Sequence, residues 1–226
     1  MEKTLEQKVE FLEWMMERNH ALLQIQNTMG RYAYMHTAGM HTECMDLFAL
    51  DTPGTTVEMM WGVYEGREGI KRCYEGWHKD SDGEGKGIMH VHALSTPVIE
   101  IADDLKTAKA VWLSPGHETG PNPNTGKPEA YWAWMKYGVD FIREGREWKI
   151  WHLHVYGIFF TPYDKSWVES SLQPAFAPPT FDMLPEAHRP DRAPTTNWEY
   201  KVDKKYPSDQ PLLPVQYPTF DKTFSY

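Results

Sequence analysis

The spacing of apolar residues predicts helices at the start of the chain. Over residues 4–17 apolar positions recur every three or four residues, and a second helix is expected from about Asn19. The apolar stripe of this second helix consists of Leu22, Ile25, Met29, Tyr32 and His36. A stripe with this spacing faces a protein core, so Tyr32 and His36 should turn polar atoms inward. They could form a buried hydrogen bond or line a cavity.

Shorter patterns follow in the next forty residues. Residues 41–50 read as a short third helix, residues 55–63 alternate as a strand does, and residues 66–77 have the spacing of another helix. The polar stretch HKDSDGEGKG, residues 78–87, is predicted to be a solvated loop. A strand and a helix thus follow the three N-terminal helices before the polar loop.

Long strands dominate the region that comes next. They are predicted at residues 88–101, 106–115 and 131–142, with a loop rich in proline, glycine and asparagine at residues 114–130. A fourth strand, WKIWHLHVYG at residues 148–157, is entered through the tight turn REGRE. The result would be a mostly antiparallel sheet.

The last two strands are predicted to pair around a turn at Glu144 and Gly145. This register would set Tyr137 opposite His152 and Met135 opposite His154, although it could slip by one residue. Because side chains alternate across a strand, both histidines would share one inward face. The members of that face would be Met135, Tyr137, Val139, Phe141, Trp148, Ile150, His152, His154 and Tyr156.

The opposite face of these two strands is also apolar and needs a cover. Its members would be Trp132, Trp134, Ile142, Trp151, Leu153 and Val155. Residues 161–226 hold eleven of the seventeen prolines and many aromatic residues, which predicts an extended arm that lies on a surface. Either this arm or a second subunit would cover the apolar face, and we favour a homo-oligomer whose arms are exchanged.

Composition excludes several classes of protein. The chain has 226 residues and a formal net charge of -9, without a run of lysine and arginine, so nucleic acid is not expected as a partner. No segment is long and apolar enough for a membrane helix, and a cytoplasmic protein is predicted. The two cysteines, Cys44 and Cys73, lie far apart without a CxxC spacing, which predicts buried thiols.

The order of these elements resembles the α+β cone of the nuclear-transport-factor-like superfamily, in particular its SnoaL-like polyketide cyclase and dehydratase family. The matching stretches are RYAYMH, LFA, VYEGREGIKRCY, TPVIEIADDLKTAKAVW and YGVDFIREGREWKIWH, within about residues 19–158. The resemblance implies an α+β cone at residues 1–160, with helices on a strongly curved sheet, and an appended arm at residues 161–226. The family includes dehydratases, isomerases, cyclases and carriers without activity. Its members usually need no cofactor, so the resemblance implies that none is needed here.

The resemblance also implies roles for particular residues. Tyr32 matches an inward tyrosine of the family, and His36 stands where many relatives have an acid/base aspartate. His92 falls in a strand that often carries a catalytic histidine, and His152 lies near a position often held by arginine or histidine. These four are the expected catalytic residues, whereas Asp140 matches a common carboxylate but faces away from the pocket. Expected substrate contacts are Met29, Met59, Trp61, His90, Met135, Tyr137, His154 and Tyr156.

Proton transfer beside a carbonyl or phenol-conjugated carbon needs a base, an acid and a group that holds the developing oxyanion. Histidine can act as base or acid near neutral pH, and tyrosine can hold the oxygen. The leading hypothesis is a cofactor-independent lyase or dehydratase in which His36 and His92 exchange protons with a flat aromatic or polycyclic substrate. A narrower possibility, implied by the resemblance, is release of formaldehyde from a lignin-derived diaryl diol.

Two other functions remain open at the level of the sequence. The first is a metal-dependent enzyme in which His90, His92, His152 and His154 bind a metal ion. The second is a protein that binds the same kind of aromatic ligand without converting it. The two histidines of the last strand are also compatible with a fully hydrogen-bonded core, in which case the pocket would be small.

Overall fold

The computed structural model describes most of the chain. The described ranges are residues 3–122, 125–170, 184–196, 199–205, 210–222 and 225–226. The other parts of the predicted arm, and the aromatic residues within them, lie outside the described residues. The fold below therefore covers nearly all of the predicted cone and several stretches of the arm.

A single helix, α1, forms the N-terminal part of the chain. It spans Leu5–Thr37, so the prediction of two helices with a break before Asn19 was wrong. A capping box starts the helix, because Thr4 and Gln7 each bond the backbone N–H of the other through their side chains. No proline follows until the helix has ended, and one asparagine does not interrupt a helix. No helix of the described chain has the length and apolarity required to cross a membrane.

The predicted inner stripe of α1 packs on the sheet. Ile25, Met29 and Tyr32 are buried, which confirms the inward face. After α1 the chain turns at Gly39, whose φ of 69° is in the left-handed region that glycine adopts readily.

Short helices follow α1. They are α2 (His41–Met45), α3 (Gly66–Lys71), a π-helix (Arg72–His78) and α4 (Lys79–Asp82). The first is shorter than the helix predicted over residues 41–50. The last three join end to end, so the helix predicted at residues 66–77 continues into the segment 78–87 that was predicted to be loop. A π-helical turn inside a helix is uncommon and is frequent at functional sites.

Within the described residues, seven strands form one curved sheet. They are β1 (Thr56–Met59), β2 (Gly62–Glu65), β3 (Met89–His92), β4 (Ser95–Ile101), β5 (Thr107–Pro121), β6 (Pro128–Glu144) and β7 (Glu147–Pro162). The order across the sheet is β2-β1-β7-β6-β5-β3, and β4 also pairs with β5. β1 runs parallel to β7, and the other pairs are antiparallel. Helix α5 (Trp167–Ser170) and a 3-10 turn (Glu186–His188) come later in the chain. The architecture confirms the predicted α+β cone.

Three strand predictions need correction. The strand expected at residues 55–63 is the β1–β2 hairpin, and the strand expected at residues 88–101 is divided into β3 and β4. β5 and β6 continue through most of residues 114–130, which were predicted to be a loop. The glycines and prolines of that segment thus lie largely within strands, near the rim of the cone.

The turn between β6 and β7 is displaced from the predicted position. Glu144 pairs with Glu147, so the turn centres on Gly145 and Arg146. Gly145 has a φ of 63°, which a glycine adopts without steric cost. The residue of β7 that faces a given residue of β6 is therefore two positions farther along than predicted.

A β-bulge adds a third position to this shift. Phe141 pairs with Ile150, but the next pair is Asp140 with His152, so Trp151 is the extra residue. Because side chains alternate across a strand, an odd shift moves His152 to the opposite face.

The faces of β7 beyond the bulge are consequently the reverse of the prediction. His152, His154 and Tyr156 lie on the outer face of the sheet, and their predicted positions in the pocket were wrong. Leu153 and Val155 point inward and belong to the core. The two histidines of the strand do share a face, but it is the face away from the helices.

The arm of the same chain covers this outer face. His154 Nε2 is 2.9 Å from Thr196 Oγ1, and the ring centroids of Trp151 and Phe220 are 4.7 Å apart. The arm thus supplies the cover that the sequence required. The exchange of arms between subunits stays a prediction.

A buried ion pair lies beneath the end of the arm. Lys109 Nζ is 2.9 Å from Asp140 Oδ1, and the two side chains are 2% and 0% exposed. The second oxygen of Asp140 is 2.8 Å from His152 Nδ1 and accepts from Ser225 Oγ at 2.6 Å and from Tyr226 N–H at 3.0 Å. Burial alone would raise the pKa of Asp140, but His152 and Lys109 outweigh it and lower that pKa. Asp140 faces the outer side of the sheet, as predicted.

We expect Asp140→Asn to destabilise the fold by about 3–5 kcal/mol, because it removes the negative charge that offsets the buried charge of Lys109. The measurement is the free energy of unfolding in urea, with Asp51→Asn as control. Asp51 pairs with Arg67 at the surface, where 89% and 51% of the two side chains are exposed, and its loss should change stability little. Equal losses in both variants would contradict the importance of the buried pair.

The same variant should change the pH dependence of stability. Because the pKa of Asp140 is lowered on folding, its contribution is present above the unfolded pKa of about 4 and is lost as the pH falls. Between pH 7 and pH 3 the wild type should therefore lose more stability than Asp140→Asn.

Candidate functional site

A pocket opens into the cone between the C-terminal half of α1, the π-helix and strands β3, β5 and β6. Its volume is about 330 Å³, within the range of small-molecule sites. The lining residues are Tyr32, His36, Met59, Met60, Trp61, Trp77, His78, Ser81, Asp82, Ile88, His90, His92, Glu118, Gly120, Pro121, Tyr131, Met135, Tyr137, Val155 and Phe160. Apolar side chains supply most of the wall, and the ionisable groups gather on one side.

Two tyrosines lie at the inner end of the pocket. The rings of Tyr32 and Tyr137 meet edge to face, with centroids 6.2 Å apart. Tyr74 donates its hydroxyl hydrogen to the hydroxyl oxygen of Tyr32 at 2.9 Å, so the hydrogen of Tyr32 can be donated to a ligand. Burial raises the pKa of Tyr32 and of Tyr137, which keeps both hydroxyls protonated.

Five histidines surround the ionisable side of the pocket. His36 is at their centre, and its ring centroid lies 5.1 Å from that of His78, 5.4 Å from His92, 5.6 Å from His41 and 6.5 Å from His90. They come from three separate parts of the chain: α1 and α2, the π-helix, and β3. The fold therefore builds this cluster from residues up to 56 positions apart in sequence, His36 to His92.

Two carboxylates bond the outer histidines of this cluster. Glu118 Oε1 is 3.2 Å from His92 Nε2, and Glu118 Oε2 is 3.6 Å from His90 Nδ1. Asp82 Oδ2 is 2.7 Å from His41 Nε2, and Asp82 Oδ1 is 3.4 Å from His90 Nε2. Each carboxylate thus bridges two imidazoles, and His90 contacts both carboxylates.

The imidazoles differ in their electrostatic surroundings. Burial lowers the pKa of His36 well below its usual value, and the neighbouring His78 and His92 lower it further. Burial also lowers the pKa of His78 to about 4. Both rings are therefore neutral at neutral pH. His36 Nδ1 is buried and has no hydrogen-bond partner in the part of the chain that the structure describes, so it can bond a ligand.

His90 and Glu118 have the opposite tendency. Burial would lower the pKa of His90, but Glu118 and Asp82 outweigh it and raise that pKa. Burial would raise the pKa of Glu118, but bonding with His90 and His92 lowers it to about 2. Glu118 therefore favours the protonated form of His90.

The arm holds the π-helix in place from outside. His188 Nε2 is 2.7 Å from Asp80 Oδ2, and the rings of His188 and Trp77 meet at 6.2 Å. A Cβ atom on Gly76 would lie 2.4 Å from the carbonyl oxygen of Ala187, so the close approach requires glycine. The π-helix contributes Trp77 and His78 to the pocket, and the arm therefore supports part of the pocket wall.

The structure brings together eight of the twelve predicted site residues. Those that line the pocket are Tyr32, His36, His92, Met59, Trp61, His90, Met135 and Tyr137. Their roles stay predictions. Met29 is fully buried in the core and does not line the pocket, because it lies one turn deeper along α1. His152, His154 and Tyr156 are excluded by the bulge in β7.

Four histidine or carboxylate residues of the pocket or its border were missed. Glu118 lies on β5 and not in a loop, His78 and Asp82 belong to the helical segment, and His41 is buried at 2% exposure. One signal was present in the sequence: the buried positions Ile70 and Tyr74 continue at a spacing of four to His78. Recognising Glu118 as a pocket residue required the true length of the β5–β6 hairpin.

The proposed four-histidine metal set is not formed. His90 and His92 line the pocket, whereas His152 and His154 lie on the outer face of the sheet. Among the described residues, no group of three or more His, Cys, Asp and Glu side chains is arranged to hold a metal ion. The metal hypothesis based on these four residues was therefore wrong.

Comparison with known proteins identifies the family. Residues 17–154 match the family model of the SnoaL-like domain, which is more than half of the chain. The chain belongs to this family, as its resemblance predicted. No curated protein matches the sequence.

Several solved structures share the fold. A hexachlorocyclohexane dehydrochlorinase, LinA type 2, is 14% identical with a TM-score of 0.52, over 73% of this chain and 97% of that chain. LinA-type3 from Novosphingobium barchaimii is 12% identical with a TM-score of 0.53, over 67% and 95%. A protein provisionally named scytalone dehydratase, from Novosphingobium aromaticivorans, is 14% identical with a TM-score of 0.51, over 67% and 93%. At such identities the likeness shows the fold alone.

The electrostatics of the pocket predict distinct titrations for its histidines. At pH 6.5 we expect His90 to be more than half protonated and His36 to be neutral, since the pKa of the first is raised and that of the second lowered. Glu118→Gln should lower the pKa of His90, because it removes the negative charge that stabilises the imidazolium. Side-chain NMR over a pH series measures both effects.

Glu129→Gln is the matched control for that titration. Glu129 bonds Asn122 and Tyr131 and lies on the neighbouring strand, so His90 should titrate as in the wild type. An unchanged titration of His90 in Glu118→Gln would contradict the proposed pairing.

Proposed function

We propose that this protein is a cofactor-independent lyase or dehydratase that moves protons between pocket histidines and an aromatic or polycyclic substrate. The observation that carries the proposal is the position of Glu118, whose two oxygens contact His92 and His90 on the wall of an apolar pocket. A carboxylate shared by two imidazoles can support proton removal by one and proton donation by the other.

The wall of the pocket favours a flat, uncharged substrate. Met59, Trp61 and Met135 line one part of it, and Trp77 and Phe160 line another. Aromatic rings stack on planar ligands, and methionine adapts to irregular shapes. Lysine and arginine are absent from the pocket lining within the described chain, so a substrate with a carboxylate or phosphate would lack a strong counter-ion.

His92 is the proposed base. Its Nε2 is bonded to Glu118, and the negative charge stabilises the imidazolium that forms when His92 takes a proton from the substrate. The electron pair left on the substrate then forms a double bond to the neighbouring carbon, and the bond from that carbon to the leaving group breaks.

His90 is the proposed acid. Glu118 and Asp82 favour its protonated form, and it can give this proton to the departing group. After the reaction His92 carries a proton and His90 has lost one. The starting state is restored when His92 releases its proton to solvent and His90 takes one up from solvent.

Tyr32, Tyr137 and His36 are proposed to position the substrate. The hydroxyl of Tyr32 can donate to a developing oxyanion, since Tyr74 satisfies its acceptor side. His36 stays neutral, and its buried Nδ1 can bond a substrate hydroxyl. The earlier hypothesis assigned proton exchange to His36 and His92, and Glu118 now favours His90 as the second partner.

The narrower proposal is a formaldehyde-releasing lyase that acts on a lignin-derived diaryl diol. His92 would take the proton of the hydroxymethyl oxygen, and the carbon–carbon bond would break to give formaldehyde. The released electron pair would form the double bond of a stilbene, while the benzylic hydroxyl leaves as water with the proton of His90. The aromatic groups of the pocket support such a substrate, and the resemblance suggests this reaction.

We expect His92→Ala and Glu118→Gln to lower kcat on a phenolic diaryl 1,3-diol by about 10²-fold or more, the usual contribution of general acid–base catalysis. His36→Ala should raise KM at least as strongly as it lowers kcat, because its role is to bind. The assay follows alkene absorbance, formaldehyde release and deuterium exchange separately, which distinguishes loss of water from cleavage of a carbon–carbon bond.

His117→Ala is the matched control, since His117 adjoins Glu118 on β5 but is exposed. It should keep full activity. Full activity in both His36→Ala and His92→Ala would eliminate the proposed site. Tight binding of the aromatic compounds without exchange or turnover would instead indicate a binding protein.

A further inference from the structure

Helix α1 carries a second apolar stripe that faces solvent. Leu5, Val9, Leu12, Met16 and Leu23 are 78%, 45%, 59%, 72% and 58% exposed. Apolar side chains of this size are normally scattered singly on a surface, and a continuous row marks an interaction site. We call these five residues the outer stripe.

The outer stripe lies opposite the side of α1 that packs on its own domain. Ala21, Ile25 and Tyr32 are buried on that inner side, and Trp14 Nε1 donates to the carbonyl oxygen of Asp103 at 2.9 Å. At 100° per residue, Leu12 and Met16 are rotated by roughly 140–180° from these inner residues. The helix therefore has one apolar side within the domain and another that no described part of the chain covers.

The spacing of the outer stripe is that of a helix pair. Its steps are four, three, four and seven, and Asn19 occupies the position that divides the last step into three and four. This is the alternation of a and d positions in a heptad, with Val9 at an a position and Leu5 and Leu12 at d positions. A β-branched residue at a with leucine at d favours two parallel strands.

Charges beside the outer stripe favour a second copy of this chain in parallel orientation. With this heptad, Lys8 is at a g position and Glu13 at the e position five residues later. In a parallel pair, g of one helix faces e of the next heptad in the other. Lys8 would therefore face Glu13 of the second copy, twice by symmetry. An antiparallel pair would place the two Glu13 side chains against each other.

We propose that α1 forms a homodimer by parallel pairing of the outer stripe of two copies of this chain. The pairing is isologous, because the same residues of both copies meet across a twofold axis. It uses a surface on the far side of α1 from the pocket, and it does not depend on the chemistry proposed for the pocket. It is also separate from an exchange of C-terminal arms.

The oligomeric state of the full chain tests the proposal. Sedimentation equilibrium should show a dimer for the wild type, and Leu12→Glu and Met16→Glu should each raise its dissociation constant at least tenfold. Phe11→Glu is the matched control, since Phe11 is 46% exposed on the same helix but lies outside the stripe, at a c position. Circular dichroism of each variant verifies that the helix is intact.

A monomeric wild type would overturn the proposal. So would a dimer or larger oligomer that both stripe variants leave unchanged, because the interface would then lie elsewhere, for example in the arms. A stripe that binds lipid vesicles while the chain stays monomeric would also overturn it.

Cysteine cross-linking tests the orientation. Leu12→Cys should form an intermolecular disulfide with itself in a parallel pair, whereas Phe11→Cys should not. Both native cysteines are buried and should not contribute. Cross-linking only in a mixture of Leu12→Cys and Met16→Cys would indicate an antiparallel pair and would overturn the proposed orientation.

Exchange of the charges at positions 8 and 13 gives an independent measure of the orientation. Lys8→Glu should weaken the dimer, and adding Glu13→Lys should restore it.

Discussion

The β-bulge at Trp151 decides what each face of the sheet contains. Without it, His152 would be on the side of Ile150 and would point into the cone; with it, Leu153 and Val155 fill that side. The bulge thus gives the inner face an apolar surface against which a ligand can pack. It also gives the outer face the polar groups that bind the arm. One extra residue in a strand therefore determines both the pocket and its support.

The two faces are connected through the arm. On the outer face, Asp140 accepts from Ser225 Oγ and from Tyr226 N–H, and the absence of a side chain at Gly138 leaves room for the ring of Tyr226. At the rim of the cone, an earlier part of the arm packs on the π-helix through His188. The arm therefore contributes to the pocket without lining it, because it fixes a helix whose tight approach needs a glycine.

Periodicity predicted the inner stripe of α1 and the positions of most strands, since these depend on local spacing, and the resemblance to the SnoaL-like family implied pocket residues such as His36 and His92. Prediction from periodicity failed where one extra residue changes which residues of two strands pair with each other. The turn at Gly145 and the bulge at Trp151 shifted the register by three positions, and no local signal reveals a bulge in a strand that is apolar on both faces. Glu118 was missed for a related reason, because glycine and proline indicate a loop by composition although the hairpin continues through them.

The carboxylates of the pocket limit the electrostatic repulsion among its histidines, which the amino-acid sequence alone does not show. Five imidazoles so close together would repel one another if several were protonated, and burial makes each charge costlier. Two carboxylates divide the cluster: Glu118 and Asp82 favour charge on His90, while His36 and His78 stay neutral in the interior. The cluster thus holds proton donors and acceptors side by side at one pH. Such a separation of titrations among neighbouring groups is the physical requirement for acid and base chemistry in a single pocket.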